Sequence, residues 1–581
     1  MNKPTPAIVT QAGVRRLPRL ALWLFCAAYV LPGFIGRAPW KTADMTAFGY
    51  MAELAAGTAG WLHPRLLNLA PDIDALLPYW IGAVVMKITP GFVAPDFAVR
   101  FVFSLLLALT LVATWYAVYF LARSPRAQPV AFAFGGEAQP ADYARAMADG
   151  GLLALMACLG MAQLSHETTP ALAQLCFTAV SFYALAAMPY RTRGPALGLA
   201  IGLPALALSG APTMAVLLGL GGALVCFLDR HEEHGLTGGE TAQHTPARSL
   251  AWTGFVLACT LLAAGLAEHL DLWRWRIELP QATWHDWRSL TRLLLWFTWP
   301  VWPLALWTLW RWRRQLTSGN FGRHLALALW FVAVALGTTL TTHSADRSLL
   351  LALPALATLA AFALPTLSRT VAALIDWFTL LFFTACAIGI WVIWIATQTG
   401  VPRQPAANVA RLAPGYEPVF SWIALALALV ATLTWAWLVK WRAGRHRAAI
   451  WKSLVLPAGG VALCWLLMMT LWLPLLEWGR SYVPLVRSVQ SAMEADRQPG
   501  SPGCVEVYGL NRGQIAAFKY HGNMQLQWAR REASCPWLIV DADDQHTLPQ
   551  DVDMNAWSLR LSLRRRAETN DDVLLYRRIQ P

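Results

Sequence analysis

The chain has 581 residues, of which 57% are apolar or aromatic and 14% are charged, with a mean hydropathy of +0.43. That balance excludes a soluble globular protein, in which about 25% of residues are charged. The 46 Lys and Arg against 33 Asp and Glu leave a net charge of +13, but the cations stand in short runs between apolar blocks, which is a topology signal and not a nucleic-acid footprint.

Apolar blocks of roughly twenty residues recur along the chain, the length at which a helix crosses about 30 Å of hydrocarbon. Lys3, Arg15, Arg16 and Arg19 precede the first of them, 20–36, which reads as an uncleaved first span with its basic end in the cytoplasm. Arg123 and Arg126, Arg191 and Arg193, Arg230, Arg311 through Arg314, Arg369, and Lys440 through Arg447 are assigned to that same side, with two apolar runs between consecutive clusters. The stretch before Arg123 holds one run too many. The run 79–88 is short, contains Lys87 and is followed by Pro90, Gly91 and Pro95, so it is assigned to an interfacial or re-entrant helix. The expected crossings are 20–36, 97–121, 149–164, 170–189, 195–208, 212–228, 250–269, 291–310, 323–341, 348–366, 371–396, 419–438 and 453–474, about thirteen by the length criterion.

An odd number of crossings puts the polar tail, 477–581, opposite the N-terminus, in the periplasm. The chain then divides into a membrane domain, 1–476, with a long periplasmic loop at 37–78, and a periplasmic soluble domain, 477–581. In the tail, 505–510, 537–540, 557–563 and 573–579 are short β-rich runs and 514–520 a short helical one, an α/β or mostly β domain. Seven of the nine cysteines lie in apolar blocks. Cys504 and Cys535 are the two in the tail and form a candidate disulfide in an oxidising compartment. The loop 231–248, with His231, His234 and His244 among Gly, Thr and Glu, reads as a flexible linker.

The spans are nearly free of ionisable groups, with Asp376 and Glu268 near their ends, whereas transporters place such groups near the midplane. Polar residues collect instead in the links assigned to the periplasm: Asp44 and Glu53; His63, Arg65, Asp72 and Asp74; His166 and Glu167; Ser209; Arg274, Arg276, Glu278, His285 and Asp286; His343, Asp346 and Arg347. Polar chemistry on one face points to an enzyme working at that interface.

The segment GRAPWKTADMTAFGYMAELAAG, 36–57, places Asp44 just beyond the first span, and PDIDALLPYW follows at 71–80. Here the chain resembles the GT-C superfamily of membrane glycosyltransferases, and within it the bacterial polyprenyl-phosphate-sugar transferases of the lipid A aminoarabinose transferase and protein O-mannosyltransferase type. Asp44 stands at the family's catalytic acidic position. Val99 and Arg100 resemble the start of the family's second span; SHETTPALAQLCF, 165–177, holds Glu167 where the family has a second acidic residue; GLAIGLPALALSGAP, 198–212, resembles a family link; and HSADRSLLLALPALATLAAF, 343–362, matches the family arginine with Arg347. The resemblance implies a mainly α polytopic bundle of GT-C type with periplasmic juxtamembrane helices and a small C-terminal α/β domain, in a bacterial inner membrane. It implies transfer of a sugar from a polyprenyl-phosphate donor to lipid A, an envelope glycan or a protein. Departures accompany it: Asp74 stands where the family has a lysine, Ala75 and Leu76 where it has prolines, and Ser209 where it has a second lysine.

Transfer needs a carboxylate to orient the attacking hydroxyl or take its proton, and cations to hold the leaving phosphate. Asp44 is the expected catalytic carboxylate, with Arg347, Lys41, Arg274, Arg276 and Arg65 as candidate phosphate binders. Glu167, His166, Asp72, Asp74, His63 and Glu53 are candidates for the acceptor side or for a divalent cation, although their spacing matches no metal motif. Plainer readings stand beside these: Asp44 as the N-cap of a helix starting at Met45, His166 and Glu167 as a hairpin end, and Arg274 and Arg276 as interfacial anchors among tryptophans. A lipid-linked-sugar flippase and a non-catalytic assembly protein are the alternative classes.

Overall fold

The structure is a computed structural model that describes residues 5–89, 91–229, 246–273, 283–317, 322–341, 345–444, 449–496, 503–563 and 572–579. The expected linker histidines His231, His234 and His244 lie outside these residues, as do Arg274, Arg276, Glu278 and His343.

The first half runs α1 (Arg19–Val30), α2 (Lys41–Ala56), α3 (Leu77–Ile88), α4 (Pro95–Ala122), α5 (Pro140–Ala157), α6 (Leu159–Leu164), α7 (Pro170–Ala187), α8 (Arg193–Leu208), α9 (Pro212–Leu228) and α10 (Pro246–His269). Then follow α11 (Trp284–Phe297), α12 (Val301–Leu316), α13 (Arg323–Thr341), α14 (Ala345–Leu350), α15 (Leu353–Ala363), α16 (Arg369–Thr399), α17 (Arg403–Leu412), α18 (Trp422–Ala443), α19 (Val455–Met468), α20 (Leu473–Arg480) and α21 (Val483–Ala495). Each of the thirteen expected intervals is occupied by helix. Among the described residues seven helices are long and apolar enough to cross a membrane unaided, or eight if a bent pair counts as one span, and five more are apolar but shorter. This is a multi-pass membrane protein.

The bent pair corrects the expected straight span at 291–310. Pro300 interrupts it, and α11 and α12 meet at 84°. Proline supplies no N–H and clashes with the preceding turn, which kinks or breaks a helix; here the helix breaks. The run expected to be interfacial is α3, which packs against α2 and α4.

Packing sorts the spans into an inner and an outer set. In the apolar window of α7, 83% of residues are buried, against 11% for α18. Every residue of α15, LPALATLAAFA, is buried, because alanines let neighbouring backbones approach where lipid supplies no hydrophobic drive. The outer helices α16 and α18 instead show Leu, Ile and Trp to the bilayer, and Asp376 of α16 is paired with Arg442 of α18.

The tail forms a five-stranded sheet of order β2-β1-β3-β5-β4, with β1 (Cys504–Tyr508), β2 (Gln525–Trp528), β3 (Trp537–Asp541), β4 (Trp557–Leu563) and β5 (Val573–Arg578). β1 runs parallel to β2 and β3, while β5 pairs antiparallel with β3 and β4. A helix, α22 (Arg512–Tyr520), makes the crossover from β1 to β2, and a capping box between Asn511 and Gln514 starts it. Cys504 and Cys535 are joined in a disulfide, their Cα atoms 5.4 Å apart.

This domain is docked onto α2. A Cβ on Gly49 would come 2.5 Å from Cβ of Ala516, so glycine sets the close approach of α2 and α22. Phe48 meets Tyr520 edge-on at 4.6 Å, Lys519 Nζ lies 2.5 Å from Glu53 Oε1, and Arg512 Nη1 lies 2.7 Å from Asp72 Oδ1. Replacing Gly49 by Leu is expected to force the two helices apart at a cost of about 1–3 kcal/mol. Limited proteolysis of the purified protein should then release the tail domain faster than from the wild type.

Candidate active site

The site is built on the link between α1 and α2 and on the loop between α6 and α7. α2 opens at Lys41, whose φ of +56° lies in the left-handed region that a long side chain rarely adopts. Asp44 is therefore inside the first turn, and the expectation of Asp44 as an N-cap before Met45 is corrected: Trp40 holds that position. The Asp44 side chain accepts the Trp40 N–H at 3.1 Å, reaching back over the turn as a capping-box partner does.

Asp44 is fully buried, and four donors converge on it. Thr168 donates its backbone N–H at 2.7 Å and its hydroxyl at 2.6 Å to Oδ1, while Trp40 N–H and Arg37 Nη1, at 3.2 Å, donate to Oδ2. These occupy the acceptor positions of an ionised carboxylate. Arg37 is itself buried and tied down: Nε donates to Gly33 O at 2.7 Å, and Nη2 donates to His166 O. One buried ion pair thus joins three chain segments.

Glu167 lies next to this pair in a different state. Its Oε2 accepts no hydrogen bond among the described residues. Arg347 Nη2 stands 3.6 Å from Oε2 and Lys41 Nζ 4.0 Å from Oε1, and both cations reach partly into solvent. Burial and the neighbouring Asp44 charge raise the Glu167 pKa, against the pull of Arg347, Lys41 and Arg37. Lys41, Asp44, Glu167 and Arg347 are thus brought together from three separate stretches of sequence.

The other expected residues serve elsewhere. His166 is a packed strut: its ring nitrogens lie 2.5 Å from Ala162 O and 3.0 Å from Tyr29 O, its ring centroid lies 4.6 Å from that of Trp465, and a Cβ on Gly33 would sit 2.2 Å from its Cδ2. Glu53 and Asp72, expected on the acceptor or metal side, are spent on docking the tail domain. Asp74 lies beside Tyr79, with its carbonyl backing onto Gly210. His63 is exposed in a turn, and exposed Arg65 donates to Asn68 O at 3.3 Å. Among the described residues no three His, Cys, Asp or Glu side chains come close enough to hold a metal ion. The scattered set considered for a divalent cation is therefore not assembled.

Sequence reasoning missed Arg37, Thr168 and Glu477. Glu477 of α20 accepts the Ala38 N–H at 3.1 Å and the Trp40 indole N–H at 2.5 Å, and Arg480 lies over the Trp40 ring at 5.9 Å. The start of α20 therefore belongs to the wall of the site. Arg37 had a local signal, since it stands seven residues before Asp44 in the quoted motif; Glu477 had none.

The arrangement of apolar spans, juxtamembrane helices and a C-terminal sheet domain has counterparts among solved structures. Two crystal structures of ArnT from Cupriavidus metallidurans, one bound to undecaprenyl phosphate and one in the apo state, each match with a TM-score of 0.61. Each match covers 96% of this chain and 98% of that one, at 12% identity, so the likeness is one of fold. No protein-family model and no curated protein sequence matches the chain.

Burial pushes the His166 imidazole down to about 4 from an ordinary 6.5. Between those values the unfolded chain binds the proton and the folded chain does not, so this term is present in full above pH 6.5 and is lost as pH falls towards 4. The loss approaches about 3 kcal/mol. His166→Gln is expected to flatten that part of the melting temperature against pH, measured in detergent, relative to the wild type.

Proposed function

We propose that the chain is an inner-membrane glycosyltransferase that moves a sugar from a polyprenyl-phosphate donor to a periplasmic acceptor at the Asp44–Glu167 cluster. One observation carries the reading: a protonatable carboxylate, Glu167, lies between two solvent-reaching cations beside a carboxylate held by four donors. The likeness in fold to a protein crystallised with undecaprenyl phosphate supports the choice of donor lipid.

In this reading Asp44 is a positioning residue. Its donors leave it no lone pair for a proton, and it fixes the loop that carries Glu167. Glu167 is the base. The acceptor oxygen attacks the anomeric carbon, the bond from that carbon to the phosphate oxygen breaks with its electron pair leaving on the phosphate, and the acceptor proton passes to Glu167 Oε2. Lys41 and Arg347 neutralise the leaving phosphate; they stand in for the lysines that the resemblance would have put at Asp74 and Ser209. Lipid A, an envelope glycan and a protein all supply a suitable hydroxyl. The domain division at 477 is kept as a proposal, with Glu477 and Arg480 counted into the site.

The test is transfer of labelled sugar from a polyprenyl-phosphate donor by the purified protein in sealed vesicles with envelope acceptors. Label on the acceptor supports the enzyme; label that only crosses the bilayer supports a flippase, and neither event supports an assembly protein. Glu167→Gln is expected to lower kcat by about 10²–10⁴-fold, and Arg347→Ala to raise KM for the donor. A base must be deprotonated to act, so the acid limb of the rate profile should lie above the ordinary carboxylate range. Asp44→Asn removes a charge that raises the Glu167 pKa and should move the limb to lower pH, whereas Arg347→Ala removes one that lowers it and should move the limb up. Limbs that stay put in both variants would rule Glu167 out as the base.

A further inference from the structure

A second concavity lies at the opposite end of the bundle. It measures about 640 Å³ and is lined by Arg19, Arg145, Arg191 and Arg193 and by an aromatic wall that includes Trp115 and Tyr119. Tyr183, which also lines it, stands near the end of α7, while Glu167 just precedes the start of that helix. At 1.5 Å per helical residue the two are roughly 25 Å apart.

Four guanidinium groups are drawn into one space, with two carboxylates at its edge: Asp142, and Asp149, which accepts the Trp115 indole N–H at 2.9 Å and faces Arg145. Among the described residues Arg19, Arg191 and Arg193 form no ion pair, and Arg145 Nη1 stands 3.6 Å from Asp142, which Arg16 holds more closely at 2.9 Å. α8 begins at Arg193, so the positive end of a sixteen-residue helix stands at the same place. Gly194 keeps that approach open, because a Cβ there would come 2.8 Å from the Tyr183 hydroxyl. The site is therefore built for an anion with several acceptor oxygens.

Its surroundings say what the anion is attached to. Tyr116 lines the cavity, is exposed, and continues the exposed row Leu105, Leu109 and Val112 on one face of α4. Leu197 and Ile201 are exposed on α8, and α4 and α8 both pack on α7. The cationic pocket thus adjoins an outward apolar surface that runs along the spans.

We propose that this cavity is a binding site for the phosphate headgroup of an anionic phospholipid. Arg191, Arg193 and the α8 N-terminus hold the phosphate, the tyrosines meet the glycerol region, and the acyl chains lie along the α4 and α8 rows. Basic clusters at headgroup depth attract anionic lipid, and tyrosine and tryptophan favour that depth. Soluble phosphate shares the headgroup chemistry but gains nothing from the apolar rows.

Native mass spectrometry of the full-length protein in detergent, titrated with phosphatidylglycerol, phosphatidylcholine or inorganic phosphate, tests this. The wild type is expected to retain one phosphatidylglycerol that millimolar inorganic phosphate does not displace, and Arg191→Gln with Arg193→Gln should weaken its retention by about tenfold or more. Both arginines are exposed, so the substitutions leave the core intact. Equal retention by the double variant overturns the site. Displacement by inorganic phosphate, or equal retention of phosphatidylcholine, overturns the lipid headgroup as its ligand.

Discussion

The Arg37–Asp44 ion pair is the constraint on which the site depends. Taking two charges out of water costs several kcal/mol per ion, and good geometry with full hydrogen bonding has to offset that cost. Here it does: Asp44 accepts from Trp40, Arg37 and twice from Thr168, and Arg37 donates to Gly33 and His166. The bonds run between the end of the first span, the start of α2 and the loop before α7. Each segment fixes the other two, so Glu167, one residue before Thr168, and Lys41, one residue after Trp40, inherit fixed positions. His166 completes the arrangement from behind, packed between Phe34, Tyr29 and Trp465.

α2 carries this rigidity outward. Its first turn belongs to the site, while Phe48, Gly49 and Glu53 receive the tail domain. Thr42 in the same turn bonds Tyr482 at 3.1 Å, and Glu477 closes over Trp40. The C-terminal sheet domain is therefore not a tethered appendage: the chain returns to the site at α20 before the sheet begins. A shift of the domain would act directly on the turn that holds Lys41 and Asp44.

The bundle was legible in the sequence because hydrocarbon imposes a length and a polarity that survive in any arrangement of helices. The strands of the tail were legible for the same kind of local reason, except β2. Its residues, Gln525–Trp528, are half polar and lie at the sheet edge, where a short strand needs no apolar face. The bend at Pro300 was masked by continuous hydropathy on both sides of it. In the site, Lys41, Asp44, Glu167 and Arg347 were singled out by charge in an apolar chain. The contrast between Asp44, filled by four donors, and Glu167, whose Oε2 accepts none among the described residues, was not readable, because it depends on contacts between distant segments. The partners of Glu53 and Asp72 were hidden for a related reason: a loop carboxylate looks the same in sequence whether it meets a ligand or Lys519 and Arg512, more than four hundred residues away.

Charge balance links the two carboxylates to the proposed chemistry. Arg37, Lys41 and Arg347 face Asp44 and Glu167, and Asp44 claims Arg37 by direct contact. Lys41 and Arg347 remain beside Glu167 at distances too long for hydrogen bonds, where they depress its pKa against burial. In the proposed reaction a donor phosphate drawn to those cations would weaken that support, and its negative charge would raise the Glu167 pKa further. Transfer would then require Glu167 to be deprotonated with the donor bound, while the same cations turn to the leaving oxygen.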